Sequence, residues 1–207
     1  MKAKSKEQRA YMCDVSTRAD EKHGDILEGI PIVYDAATDI GGMWNEIIDR
    51  GALDQADLKD VRFLVNHDVD SIPLARSRNN NENSTMQMTV EEDGLHVRVD
   101  LDTEGNPRAK ELYSAIKRQD ISGMSFMFTV KSDKWDDVDT DYPTRHITAL
   151  DKIYEVSAVT FPAYEQTTIN ARSVETGKAS LESAREALES ARKTEELRKA
   201  IIARCKS

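Results

Sequence analysis

A chain of 207 residues is long enough to bury a full apolar core without disulfides or metal staples, and it suits one ordinary domain plus an appendage. Its net charge is −9, and residues 175–207 carry 8 Lys and Arg against 6 Asp and Glu, so that stretch is +2 and the rest of the chain is −11. An acidic body with no basic stripe repels phosphate backbones, which argues against a nucleic-acid partner, and no apolar run approaches the roughly 20 residues of a membrane span.

The two cysteines, Cys13 and Cys205, lie near opposite ends in polar surroundings without metal-type spacing, which predicts a reducing compartment. The Lys-rich start, Met1 to Lys6, is not followed by the apolar stretch of a signal peptide, so the chain is expected to remain in the cytoplasm where it is made.

Residues Ile26 to Tyr34 are apolar and β-branched and predict a strand. Gly41-Gly42 then breaks the chain before Trp44 to Ile48, a short helical or turn-like piece ending at Gly51. In Val61 to His67 the residues Val61, Phe63, Val65 and His67 share parity, which predicts one face of a strand with His67 at its end. The asparagine-rich stretch Arg76 to Asn83 predicts an exposed loop. Met86, Met88 and Val90 alternate up to the turn Glu91-Glu92-Asp93-Gly94, and Leu95, Val97, Val99 and Leu101 alternate on the way back, a hairpin with glycine supplying positive φ.

Thr103 or Asn106 caps a predicted helix with Pro107 in its first turn, Ala109, Leu112, Tyr113 and Ile116 on one face, and an end near Gln119-Asp120. Met124 to Val130 alternates as a strand, with Ser125 at its beginning just past Gly123. A last apolar block runs from Arg145 to Phe161 and stops at Phe161-Pro162-Ala163-Tyr164, because proline cannot continue a central strand. From Ser180 onward, Ala, Glu, Arg, Lys and Leu predict a long helix with a thin apolar stripe of Leu181, Ala184, Leu188 and Ala191, then Leu197, Ile201 and Cys205. Gly177 marks the expected linker.

Many strands and few body helices predict an α+β fold: a mainly antiparallel β-barrel or strongly bent sheet with a few surrounding helices, plus a C-terminal helical tail. The corresponding division is an N-terminal extension over 1–25, a barrel domain over 26–172, and a helical tail with its linker over 173–207.

Three short words, Asn66-His67-Asp68, Gly123-Met124-Ser125-Phe126 and Glu155-Val156-Ser157, supply a histidine, a serine and a carboxylate, each within apolar strand-like sequence. A serine hydroxyl attacks poorly at neutral pH unless a base takes its proton, and the base works best when an anion fixes its tautomer and supports its charge. These words therefore point to a hydrolase. The order His, Ser, Glu differs from the chymotrypsin, subtilisin and α/β-hydrolase orders, and Ser125 lacks the second glycine of a Gly-x-Ser-x-Gly elbow, which argues against those three folds. Ser122 is a rival nucleophile. Glu155 could instead pair with Lys152 or Arg145, and His146 competes for the third role; a carboxylate orients an imidazole more strongly than a neutral ring does, which favours Glu155.

Asp137-Val138-Asp139-Thr140-Asp141 alternates carboxylates like a calcium loop, but the sixth position is Tyr142 and the twelfth is Thr148, so an EF-hand is excluded and a solvated acidic loop is expected. No zinc-type cluster and no phosphate loop is present, and no cofactor or metal is expected.

The series Asn66-His67-Asp68, Glu92-Asp93-Gly94-Leu95, Gly123-Met124-Ser125-Phe126, Glu155-Val156-Ser157 and Val159-Thr160-Phe161-Pro162-Ala163-Tyr164 resembles the HK97-type prohead (capsid maturation) protease family of tailed bacteriophages, from about Gly29 to about Ala171. The resemblance implies a serine endopeptidase inside the procapsid, in the host cytoplasm, that cuts capsid or scaffold segments and often itself. It implies kinship with the herpesvirus assemblin fold, a β-barrel surrounded by helices. It assigns the general base to His67, the nucleophile to Ser125 and the third catalytic place to Glu155. Capsid and scaffold polypeptides are the implied partners, and the oligomeric state, including a homo-oligomer, is open. The asparagine-rich loop and the acidic stretch Trp135 to Pro143 depart from the family's usual look. Two other readings remain: a non-catalytic assembly or scaffolding protein whose C-terminal helix binds capsid subunits, and a small-ester hydrolase. Oxyanion donors are sought among the amides of Met124 to Phe126 or of the Pro162 to Thr168 turn.

Overall fold

A computed structural model of the chain describes residues 5–12, 15–20, 24–160 and 171–205. The strands are β1 (Glu7–Met12), β2 (Ser16–Asp20), β3 (Gly24–Val33), β4 (Thr38–Asp39), β5 (Asn45–Ile48), β6 (Asp60–Val65), β7 (Ala75–Arg78), β8 (Met86–Val90), β9 (Gly94–Leu101), β10 (Gly123–Asp136) and β11 (Thr144–Val159), with helices α1 (Pro107–Lys117) and α2 (Ala171–Cys205). One sheet of seven strands runs β1-β10-β11-β5-β4 with β6 and β7 attached beside β11, and a second sheet of four runs β2-β3-β9-β8.

The 16 residues of β11 organise the larger sheet. One edge pairs antiparallel with β10 along most of its length; the other is shared between β5, parallel at Thr144 to Ile147, and β6, parallel at Glu155 to Ala158. Ile147, Leu150, Ile153 and Val156, three residues apart across the register shifts between β10 and β11, are buried with Phe63, Phe126, Phe128, Leu27, Val97, Val99 and Leu112 in one apolar core between the sheets and α1. The fold is α+β, mostly strands with two helices among the described residues. The expected barrel is not closed: β1, β4, β2 and β8 each end a sheet path, so the described strands form two open sheets packed face to face.

The hairpin and the first helix follow the predicted pattern. Asn106 caps α1 by accepting from the Arg108 amide at 3.1 Å, and Ala109, Leu112 and Ile116 are its buried face. Gly94 has φ 156°, and a Cβ there would lie 1.9 Å from the Ile32 carbonyl oxygen, so the close approach of β3 requires glycine as much as the turn does.

Other segments differ from expectation. Trp44 to Ile48 is not helical: Asn45–Ile48 is strand β5, because the edge of β11 satisfies its backbone groups. The start of the asparagine-rich loop is strand β7, paired with β6 and tied by Arg76 Nε to Asp60 Oδ1 at 2.7 Å. Gly177 lies inside α2 rather than in a linker. It brings the helix onto Trp44, where a Cβ would sit 2.5 Å from Trp44 Cζ2. The acidic loop is partnered rather than merely solvated: Arg185 donates to the carbonyls of Val138 and Thr140, and Arg192 pairs with Asp139 at 2.9 Å. The block end at Phe161 to Tyr164 and Cys13 lie outside the described residues. No described helix is long and apolar enough to cross a membrane.

Helix propensity alone would make Gly177→Ala stabilising by about 1 kcal/mol. The Trp44 contact reverses the sign, since overpacking a tight site typically costs about 1–3 kcal/mol. Gly177→Ala is therefore expected to lower the thermal midpoint, measured by tryptophan fluorescence; a raised midpoint would contradict this packing.

Candidate active site

Ser125 lies on β10, opposite Ala10 of β1 on one side and Ser157 of β11 on the other. Glu155 and Ser157 are two apart on β11 and so share the face on which Ser125 stands, opposite the face of Phe126 and Val156. At the far side β6 runs parallel to this part of β11 and ends at Val65.

The histidine reaches this face from a turn. Sequence parity extends β6 to His67, but Asn66 and His67 both take left-handed conformations, φ 52° and 58°, and the Asp68 amide closes the turn on the Val65 carbonyl at 3.1 Å. Such backbone costs on the order of 1 kcal/mol or more per non-glycine residue, and it persists where neighbours over-determine it. Asn66 supplies those neighbours. Its amide donates to the Ala158 carbonyl at 2.9 Å, its side-chain Oδ1 accepts from the Thr160 amide at 2.9 Å, and its Nδ2 donates to Thr160 Oγ1 at 3.0 Å. The turn is thereby fastened to the end of β11, and His67 is carried over Ser157 and Glu155.

There His67 Nδ1 meets Glu155 Oε1 at 2.6 Å, the Ser157 hydroxyl donates to Glu155 Oε2 at 2.5 Å, and the His67 amide donates to Ser157 Oγ at 3.2 Å. Glu155 is 2 % exposed, so its hydrogen bond with His67 is shielded from water. A carboxylate only accepts; the Nδ1 contact therefore places the ring proton on Nδ1 and leaves Nε2 as the basic nitrogen. Ser157 was not singled out in the sequence, although its place two residues after Glu155 on one strand face was the available signal.

Ser125 and His67 line one cavity of about 330 Å³, together with Gln8, Ala10, Asn66, Val159 and Thr160. Ser125 is 1 % exposed, and its hydroxyl donates to the Arg9 carbonyl at 2.7 Å. Among the described residues there is no hydrogen bond between Ser125 and His67. Glu155 thus touches the histidine directly, and the serine shares the histidine's cavity with its hydroxyl turned toward β1.

The rivals are placed elsewhere. Ser122 is exposed, precedes β10 and does not line the cavity. His146 is nine residues before Glu155 on β11, roughly 30 Å along the strand, and its Nδ1 meets Asp49 Oδ1 at 2.6 Å. Lys152 is engaged by Asp57 at 2.8 Å, holding that carboxyl below the usual range. Arg145 is buried in an ion cluster with Glu7, Glu46 and Asp133. Asp68 turns to Ser71 and to Arg108, 3.8 Å away, rather than to the imidazole. The described residues hold one histidine and carboxylate group that could crowd a cation, Glu91, Asp93 and His96, on the exposed turn of the β8–β9 hairpin and outside the cavity of Ser125. The Pro162 to Thr168 turn lies outside the described residues.

The hydrogen bonds of Asn66 predict a positioning effect. Asn66→Ala removes the fastening to Thr160 and puts alanine at a left-handed position, so cleavage rate per folded molecule is expected to fall at least tenfold, with the thermal midpoint lowered as well. A full rate in this variant would show that the turn holds without it.

No match was found among curated proteins or among solved structures. The sequence matches the family model of the caudovirus prohead serine protease over residues 13–180, a span that contains His67, Ser125 and Glu155 as well as both sheets apart from β1. A histidine held by a buried carboxylate beside a serine-lined cavity lies within that span, and the chain belongs to the caudovirus prohead serine protease family.

Proposed function

We propose that this chain is the endopeptidase that cuts capsid or scaffold segments inside the procapsid, by acyl-enzyme chemistry on Ser125, and that it also cuts itself. The observation that carries the reading is the short contact of His67 Nδ1 with the buried Glu155, made by a histidine that lines the same cavity as Ser125. In this reading the Ser125 hydroxyl rotates from the Arg9 carbonyl toward His67, whose Nε2 takes its proton as Oγ bonds to the substrate carbonyl carbon. Glu155, braced by Ser157, stabilises the imidazolium, which then protonates the leaving amine. Water hydrolyses the ester on Ser125 by the same proton path in reverse. No step calls for a cofactor or metal. Kinship with the herpesvirus assemblin barrel belongs to the same proposal.

The outer half of α2 supports a tether role within this reading. Leu197, Ile201 and Ile202 are 63 %, 53 % and 54 % exposed, and an apolar end of this kind would hold the enzyme on capsid or scaffold and raise its local concentration there.

The test is assembly of the phage's capsid and scaffold polypeptides with the full chain, followed by mass spectrometry of new termini. Defined cleavages with the native chain and none with Ser125→Ala are expected. Intact polypeptides in both would leave an assembly role only.

A further inference from the structure

Strand β1 ends its sheet and pairs with β10 alone. Its side chains divide by parity. Glu7 and Arg9 enter the ion cluster, where Arg9 pairs with Glu46 and Glu7 accepts from Arg145 at 2.9 Å. Gln8 and Ala10 face the cavity of Ser125 and His67. Glu7 is 0 % and Arg9 4 % exposed, so the cluster fixes the register: a slip by one residue would carry both charges to the other face.

That register sets Ala10 opposite Ser125 and lays the Arg9–Ala10 peptide beside it, with the serine hydroxyl on the Arg9 carbonyl at 2.7 Å. The hydroxyl that must face His67, across β11, is therefore engaged on the opposite flank of β10. An extended polypeptide is commonly recognised by pairing with a sheet edge. The edge next to Ser125 is filled by the chain's own backbone. The family match begins at residue 13, after β1.

Resting on the proposed roles of Ser125, His67 and Glu155, we infer that the β10 edge is the groove for an extended substrate peptide, and that β1 is its resident occupant, an internal strand that keeps the enzyme latent until it peels away. The occupant also describes the ligand. Glu7-Gln8-Arg9-Ala10 offers an acid and an arginine on alternate residues to Glu46 and Arg145, with a small residue opposite the nucleophile. A competing capsid or scaffold segment is an extended strand with the same alternation. Release of β1 does not orphan the cluster, since Arg145 keeps Glu46 at 3.0 Å and Asp133 at 2.7 Å.

Two measurements on the full-length chain test this. Glu7→Gln keeps the shape of the side chain but removes its charge, and fluorophosphonate labelling of Ser125 is expected to run about tenfold faster than in the native chain, as the open population rises. In the native chain, the phosphonylated serine can no longer donate to Arg9, so the amides of residues 7–10 are expected to lose hydrogen-exchange protection in the adduct while β3 and β9 keep theirs. An unchanged or slower labelling rate in a folded Glu7→Gln chain, or β1 amides that stay protected in the adduct, would make β1 a permanent wall and overturn the inference while leaving the proposed chemistry standing. Should Glu7→Gln not fold, the exchange measurement on the native chain decides alone. Absence of any Ser125 adduct overturns both.

Discussion

Ser125→Ala is expected to lower peptide-bond cleavage by about 10⁴-fold or more, a barrier increase of about 5 kcal/mol, because nucleophile, base and carboxylate act as a unit. The fold should survive. Among the described residues Ser125 makes one side-chain hydrogen bond, to the Arg9 carbonyl, and its loss costs on the order of 1 kcal/mol. His67→Ala should be comparably inactive but less stable, since it takes the imidazole hydrogen bond from the carboxylate of Glu155, 2 % exposed, and leaves it the Ser157 hydroxyl. Glu155→Gln preserves the volume but not the charge on which the imidazolium depends, and its loss should lie between about 10²- and 10⁴-fold. Rates on a cleaved capsid or scaffold peptide, with circular dichroism as the check on folding, measure all three. A Ser125→Ala chain that cleaves at more than one hundredth of the native rate would contradict the assignment.

Arg145→Met is expected to have the largest effect on stability, about 3–5 kcal/mol. Arg145 is 1 % exposed and donates to Glu7, Glu46 and, through Nε at 2.7 Å, to Asp133. Without it, two fully buried carboxylates share the single guanidinium of Arg9. Arg145→Lys should recover little, because a point charge cannot reproduce a planar fork that reaches three carboxylates.

The cluster also sets an acid limit. Burial alone would push the Glu46 carboxyl up, but Arg9 and Arg145 outweigh it and hold the group below its ordinary value of 4.5. A carboxyl depressed in the folded state contributes stability that is fully present above that ordinary value and is lost as pH falls through the lower folded value. Denaturant midpoints of the native chain should therefore drop below pH 4.5, and those of Arg145→Met should already be low at pH 7. An unfolding free energy for Arg145→Met within about 1 kcal/mol of native, the size of an ordinary substitution, would show that the cluster is not a structural anchor.

Local patterns were legible in the sequence. The alternation around Gly94 and the spacing behind Asn106 name the β8–β9 hairpin and α1, because each is set by residues close in the chain. What escaped was fixed by distant partners. Val61 to His67 reads as one strand, yet the chain turns at Asn66, whose left-handed backbone is stabilised by Thr160, 94 residues away. Trp44 to Ile48 gives no period long enough to separate a strand from a helical turn, and the edge of β11 decides it. Gly177 reads as a linker until Trp44 is placed against it. The buried cluster joins Glu7, Arg9, Glu46 and Arg145 from three strands, and no local pattern marks charged residues as core. The same cluster shows why residues 7–12, outside the family match, belong to the larger sheet.

The most direct measurement is tandem mass spectrometry of the full-length chain after fluorophosphonate treatment, on the tryptic peptide Gln119 to Lys131, which contains both Ser122 and Ser125. Fragment ions should place the adduct on Ser125, and His67→Ala should abolish it. An adduct on Ser122, or one on Ser125 that forms as fast without the histidine, would contradict the proposed chemistry.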